Sequence, residues 1–550
     1  MEKISGHIAD LTNGIFYDGI LTIEDDRIRD IRRSDDPDEA PEQIDDVYIL
    51  PGFIDAHLHI ESTMLTPREF AKEAVRHGSV AALCDPHEIA NVCGERGIDF
   101  MTESAAGTPF RFYFGAPSCV PATGFETSGA RFTSEHIRRL LARDDIHFLA
   151  EMMNFPGVVQ GDRTVLDILS VASASGKPID GHAPGLLGEE LAKYAAKGIS
   201  TDHECRTLEE ALAKIAAGIK IQIREGSAAR DFESLAPLLQ SHPDRVMFCS
   251  DDKHPDDLLE GHIDALVRRA VAKGYPVMNV LRAASLNPVE HYGLDTGLLR
   301  KGDPADFILV DNLTNFTILA TYIGGRCVYR DGVTIASEWH DRNTAPCNDT
   351  FIHNPVTIHD LQITSPDGNV DVMVAADKQL YTGWDQELTE ADVPLVSDTK
   401  IDRLKIVVCN RYTQAPPAIA FIRGFGLKRG ALASSVAHDS HNIIAVGCCD
   451  TDLAASINAV IAAGGGIATA DSGAIQILKL PVAGLMSDAP AADVARRYAE
   501  LNEQAISMGC TMQAPFMTLS FMALPVIPRL KLTDKGLFDV EKFRFCNGQK

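Results

Sequence analysis

Two histidines stand two residues apart in PGFIDAHLHIEST, residues 51–63, at the end of an apolar run and with a carboxylate, Glu61, just beyond. On a strand, positions i and i+2 share a face about 7 Å apart along the backbone, so His57 and His59 point the same way. Two neutral imidazoles converging from one strand suit a divalent metal, because each offers a nitrogen lone pair at fixed geometry. Taken alone, the pair is also an ordinary polar ending to a strand. Partners elsewhere in the chain must decide.

Such partners recur. Polar groups close further apolar runs as Asp85, His87 and Glu88 in SVAALCDPHE, Glu151 in IHFLAEMMN, His182 in KPIDGHAP, His203 in ISTDHE, Glu225 in KIQIREGS and Asp251 in RVMFCSDD. Singly, each of these residues reads as a helix cap, a turn or a loop histidine. Jointly, His57, His59, Glu151, His182, His203 and Asp251 make six ligands, too many for one tetrahedral metal and enough for two if a carboxylate bridges them. Glu151 is the natural bridge. Asp251 is expected to act both as ligand and as general base. Glu204, next to His203, is a candidate second acid or a support that orients its neighbour, and Asp85, His87 and Glu88 are further candidates for the acid. The polar stretch His438, Asp439, Ser440, His441 could line the site mouth, bind another metal, or be a plain polar loop. Arg224, in QIREGS, is no phosphate clamp by itself and reads as a brace for the mouth.

The elements that must gather these residues follow from the rhythm of the chain. YILPGFIDAHLH, SVAALCDPHE, FRFYFGAP, IHFLAEMMN, KPIDGHAP, ISTDHE, KIQIREGS and RVMFCSDD are strand-like runs separated by helix-length amphipathic segments. Eight such units in about 250 residues predict an α/β fold built on a (β/α)8 TIM-like barrel of parallel strands, whose C-terminal strand ends open onto one face. Residues 1–49 read as a β-meander, and the same texture returns after 303. A composite small β-domain over 1–49 and 303–350, a metal-binding barrel over 50–302 and a C-terminal α+β domain over 351–550 are therefore expected. Within the last, Gly464–Gly466 lacks the Lys-Ser/Thr of a phosphate loop and predicts a helix-to-strand turn, and Cys448–Cys449 is assigned to the core of a strand.

Composition narrows the function classes. The chain of 550 residues carries 51 basic and 77 acidic side chains, a formal charge of −26. That charge repels nucleic-acid phosphates and anionic lipid surfaces, so neither nucleic acid nor membrane is expected as a partner. No apolar run approaches about 18 residues, and MEKISGHIADLTNG has neither a signal-peptide nor a transit-peptide character; a cytoplasmic location is expected. Twelve scattered cysteines read as buried small side chains rather than disulfides. Pro346–Cys347 is followed by Asn-Asp-Thr, so the P-C-x-x-C signature of the zinc nucleobase deaminases of another fold is missing.

PGFIDAHLHIESTMLTP, CDPHEIANV, AEMMNFPGV, GHAPGL, DHE, REGSAAR, SDD and, near the end, GFGLKRGALASSVAHDSHNI together resemble the adenine deaminases of the amidohydrolase superfamily, from about residue 3 to about 548. The resemblance implies a distorted barrel with a dinuclear centre, a composite β-domain and a family-specific C-terminal domain. It implies hydrolysis of adenine to hypoxanthine and ammonia by a hydroxide held on two divalent metal ions per subunit, manganese or ferrous iron foremost, with zinc also accommodated by such ligands. Adenine is then the small-molecule partner, and a homo-oligomer, dimer or larger, is the expected assembly. Hydantoinases and dihydroorotases usually carry a carboxylated lysine after the fourth strand, where this chain has Glu151. The alternative within the same architecture is a deacetylase or cyclic amidase; a non-enzymatic barrel would have lost ligands, and all six are present.

Overall fold

The computed structural model describes residues 2–34, 44–227, 229–335, 339, 349–377 and 379–546. Pro346–Cys347 lies outside them.

Strands β1 (Glu2–Asp10), β2 (Ile15–Glu24) and β3 (Arg27–Arg33) form the expected meander, and β4 (Tyr48–Pro51) runs parallel to β1. The run YILPGFIDAHLH, which has the pattern of one strand, is divided at Gly52. Tyr48–Pro51 pairs in the small sheet, whereas β5 (Phe53–Leu58) starts the barrel. A Cβ at position 52 would lie 2.3 Å from Val80 Cγ1, so only glycine allows the chain to pass this close to the next strand.

The barrel continues with β6 (Ser79–Cys84), β7 (Arg111–Ala116), β8 (Ile146–Met152), β9 (Ile179–Gly181), β10 (Thr201–Asp202), β11 (Lys220–Arg224) and β12 (Val246–Cys249). These pair in parallel as two arcs, β5 to β9 and β10 to β12. Backbone bonds join the arcs on both sides: Ser200 N–H donates to Ile179 O at 2.9 Å, and Asp251 N–H donates to His57 O at 2.9 Å. Every residue of β5, β6 and β12 is buried, as a parallel sheet covered by helices requires. One covering helix shows how the sequence writes them. In Arg163–Ser175 the Asp162 side chain caps the N-terminus by accepting from Val165 N–H at 3.1 Å, Gly176 ends it in the left-handed region, and Val165, Ile168, Leu169 and Ala172 form the buried stripe.

After the barrel, β13 (Phe307–Val310), β14 (Ile318–Ile323), β15 (Arg326–Arg330) and β16 (Val333–Thr334) add to the first four strands, giving one sheet ordered β16-β15-β14-β13-β4-β1-β2-β3. Beyond it lie β17 (Asn369–Val374), β18 (Gly383–Leu388), β19 (Leu404–Cys409), β20 (Ala418–Arg423), β21 (Ala431–Ser434), β22 (Ile443–Gly447), β23 (Gly466–Asp471) and β24 (Ala474–Lys479). They form a mixed sheet ordered β18-β17-β20-β19-β22-β21-β23-β24, covered by the helix Asp450–Ala463. Gly464, at φ 68°, ends that helix and turns the chain into β23, as the triple glycine predicts. The cysteine pair is different. β22 stops at Gly447, Cys448 is half-buried, and Cys449 is an exposed N-cap residue, so neither sits in a strand core. The eleven described cysteines are all free thiols, most of them buried.

The last segment closes over the mouth of the barrel. Leu65 and Ser487 form a parallel bridge, with Ser487 N–H donating to Met64 O at 2.8 Å, and Tyr498 meets His254 Nδ1 at 2.7 Å. Side chains of both parts share one continuous apolar core. No helix among the described residues is long and apolar enough to cross a membrane.

Candidate metal centre

The ends of β5, β8, β9, β10 and β12 converge, and the six candidate ligands meet inside the mouth. Glu151 divides its two oxygens. Oε1 lies 3.3 Å from His59 Nε2 and 3.9 Å from His57 Nε2, while Oε2 lies 2.6 Å from His182 Nδ1 and 3.3 Å from His203 Nε2. Asp251 Oδ1 faces the first pair, at 3.2 Å from His59 Nε2 and 3.6 Å from His57 Nε2. The His57 and His203 rings stack at 4.0 Å, bringing together residues from opposite arcs. Glu225 does not join them: it turns outward to Arg269, Oε1 to Nη1 2.7 Å.

Hydrogen bonding tests whether cations fit this donor set. His57 is 1% exposed, yet neither of its ring nitrogens has a hydrogen-bond partner, and His203 Nδ1 is unpartnered too. An unmet buried polar atom costs about 1–3 kcal/mol, which a metal on Nε2 of His57 would relieve. His59 Nδ1 donates to Asp85 O at 3.1 Å, so its Nε2 lone pair faces the centre, the arrangement that orients a ligating imidazole. Charge agrees. Glu151, Asp251, Glu204, Glu88, Asp252 and Asp439 line the pocket, and Arg224 is its only Lys or Arg among the described residues. The donor set fits two divalent cations.

Electrostatics show how tightly the groups are coupled. Burial opposes charge on His59, but Asp251 and Glu151 raise its pKa well above the usual value; burial opposes charge on His182, which Glu204 and Glu151 lift to about 9. Glu151 and Asp251 move the other way. Burial would raise both, but His182 and His203 hold Glu151 low, and His57, His59 and Arg224 hold Asp251 low.

The remaining candidates are arranged around the ligands. Glu204 makes a two-pronged ion pair with Arg224, whose Nη1 also donates to Asp251 Oδ2 at 2.8 Å and whose Nε donates to Asp231 Oδ2 at 3.1 Å. Burial raises the Glu204 pKa, but Arg224, His182 and His203 outweigh it and bring it to about 2. Glu204 is therefore ionised at neutral pH. Asp85 accepts from His87 Nδ1 at 2.9 Å, and His87 Nδ1 stands 3.5 Å from Glu151 Oε1. Glu88 accepts from His438 Nδ1 at 2.7 Å and from His441 Nε2.

Sequence reasoning leaves His87 out of the ligand set, although it forms a group with His59, Asp85 and Glu151 within metal-binding reach. It also misses the roof. Leu380, Phe521, Leu524 and Ile527 face the ligands across a cavity of about 40 Å³; no motif marks them, because apolar residues inside a core carry no local signature. The cavity shares Met153, His182, Glu204, Arg224, Ala229, Leu380 and Ile527 with a neighbouring one of about 190 Å³. A larger cavity of about 620 Å³ lies under residues 118–132 and contains none of the clustered histidines, so size alone does not mark the chemistry.

Residues 48–328 match the amidohydrolase family, and residues 379–544 match the adenine deaminase C-terminal domain. The chain is 51% identical to an adenine deaminase of Salinibacter ruber, covering 99% of this chain and 98% of that protein. It is 50% identical to an adenine deaminase of Methanosarcina mazei, covering 100% and 99%, and 43% identical to one of Borreliella burgdorferi, covering 99% of each.

Proposed function

Because the chain belongs to the adenine deaminase family of amidohydrolases, we propose that it hydrolyses adenine to hypoxanthine and ammonia. The observation that carries this reading is Glu151, whose two oxygens serve two separate histidine pairs within one buried mouth. His57, His59 and Asp251 would hold one divalent ion and His182 and His203 a second, with Glu151 shared. Such a pair, when bound, would lower the pKa of water toward neutrality and so supply a nucleophile. Manganese or ferrous iron is the proposed occupant, since mixed imidazole and carboxylate ligands accept either, and zinc as well.

The chain's own residues do the rest. Asp251 Oδ1 faces the ligand cluster while Arg224 holds Oδ2, and this anchored carboxylate is assigned to take a proton from the attacking water and pass it to the exocyclic nitrogen at C6. That transfer is required, because amide anion is too basic to leave unprotonated. Glu204, ionised and gripped by Arg224, is assigned to orienting that guanidinium rather than to protonating the ring. Asp85 fixes His87 through Nδ1. The apolar roof of Leu380, Phe521, Leu524 and Ile527 covers the flat face of the base and excludes water. Arg224 is engaged by three carboxylates, so it is not by itself a clamp for a phosphate, in keeping with a free base as substrate.

The test is to measure metal per chain and, on the same sample, conversion of adenine to hypoxanthine with ammonia release, beside a panel of N-acetyl sugars and cyclic amides. Activity on adenine, lost on chelation and restored by manganese or ferrous ion, is expected. Turnover of a panel compound with none of adenine would replace this reading with the deacetylase or cyclic amidase alternative.

A further inference from the structure

Glu88, at the start of the helix His87–Cys93, is met by two histidines from the far end of the chain. His438 Nδ1 donates to its Oε1 and His441 Nε2 to its Oε2, all three side chains being buried. One carboxylate and two imidazoles could hold a third metal, but the backbone excludes it. Ala437 N–H donates to His441 Nδ1 at 3.1 Å. A neutral imidazole carries one N–H, so with Nδ1 accepting, the hydrogen is on Nε2 and is spent on Glu88. No lone pair of that ring is left for a cation. Both oxygens of Glu88 accept from donors, and it remains an anion: burial raises its pKa, but His438, His441 and His87 bring it well below the usual value.

What this arrangement positions is His438. Its Nδ1 is committed to Glu88, and its ring lies flat on Phe521, centroids 4.3 Å apart and planes within 15°. It lines the same cavity as His59, Glu151 and Asp251, under the apolar roof. Burial works against charge on this imidazole, but Glu88, Asp252 and Asp439 raise it to about 9, which favours the form with hydrogens on both nitrogens.

We propose that His438, delivered by the C-terminal segment, donates a hydrogen bond from Nε2 to a ring nitrogen of adenine, with Glu88 and His441 as the residues that position it. This rests on the adenine deaminase reading. As the C6–O bond forms, negative charge gathers on the ring nitrogens, and an N–H aimed there stabilises the charge more than it stabilises bound adenine. The C6–N6 bond then breaks and the water proton leaves on ammonia; His438 ends with the hydrogens it began with.

The test compares wild type, His438→Ala and His438→Gln, each with its metals, on adenine and on 1-deaza-, 3-deaza- and 7-deazaadenine. Loss of one preorganised donor predicts a fall in kcat of about 10²-fold for the alanine variant, partly recovered by glutamine, with metal content unchanged. For one analogue, the penalty seen with wild type should shrink in His438→Ala, since the nitrogen it lacks has already lost its donor. A metal count reduced in both variants, kcat of His438→Ala within about threefold of wild type, or analogue penalties that all persist unchanged would overturn the proposal. Failure of the wild type itself to deaminate adenine would instead sink the reading beneath it.

Discussion

Replacing Asp251 with Asn separates holding a metal from moving a proton. The side chain is wedged between Arg224 Nη1, 2.8 Å from Oδ2, and His59 Nε2, 3.2 Å from Oδ1. An amide offers one oxygen and one NH2. With its oxygen toward the ligand cluster, its NH2 confronts the guanidinium; with its oxygen toward Arg224, its NH2 confronts the imidazoles. Either way one partner of a buried, charged contact is left unmet, which costs the fold about 1–3 kcal/mol. The first orientation keeps an oxygen for the metal, so both ions can remain bound, but the amide cannot take up a proton. Positioned general bases contribute about 10²–10⁴-fold, so kcat should fall by that factor, about 3–5 kcal/mol of barrier. The assay follows loss of adenine absorbance under saturating substrate, with metal per chain and the melting temperature read on the same preparation. Turnover within about threefold of wild type, with both metals bound, would refute the reasoning. Asp85, His87 and Glu88 would then be next to examine.

Other outcomes follow from the same contacts. Glu151→Gln should lower metal stoichiometry before it alters any proton transfer, because a neutral amide bridges two cations poorly; two metals retained at wild-type affinity would count against the shared-ligand assignment. Adenosine and AMP should be poor substrates beside adenine, and comparable kcat/KM for AMP would contradict the free-base reading. Gly52→Ala places a Cβ 2.3 Å from Val80 Cγ1, an overpacking expected to cost about 1–3 kcal/mol in urea unfolding; an unchanged midpoint would show that the strand can shift. His77 stands 3.5 Å from Asp264 Oδ2 and 3.7 Å from Glu73 Oε1, and although burial opposes its charge, these carboxylates raise its pKa from 6.5 to about 9. Its contribution to stability is thus complete below pH 6.5 and is lost as pH rises through 9, so over that window the wild type should lose more stability than His77→Gln, and equal losses would contradict the assignment.

The strands and the gathering of the six candidate ligands were legible in the sequence because both are local patterns. Apolar runs of strand length end in residues able to bind metals, and the strand period of two is enough to place His57 beside His59. Parallel strands open their C-terminal ends on one face, so Glu151, His182, His203 and Asp251 gather there without any single long-range contact being specified. Closure of the barrel made the finer decisions. Glu225 follows Arg224 directly, yet one faces Arg269 outside and the other holds Asp251 inside, because successive side chains leave a strand on opposite faces and only packing says which face is the interior. Gly52 cuts an apolar run in two because Val80 comes too near, a neighbour set by the fold and not by adjacent residues. Cys449 is a helix cap because β22 stops at Gly447. The contact of Glu88 with His438 and His441 spans some 350 residues. HDSH shows in the sequence as a dense polar stretch, but nothing local says that it folds down onto the helix that follows the second strand of the barrel. Docking of the C-terminal segment decides that, through apolar contacts whose residues carry no motif.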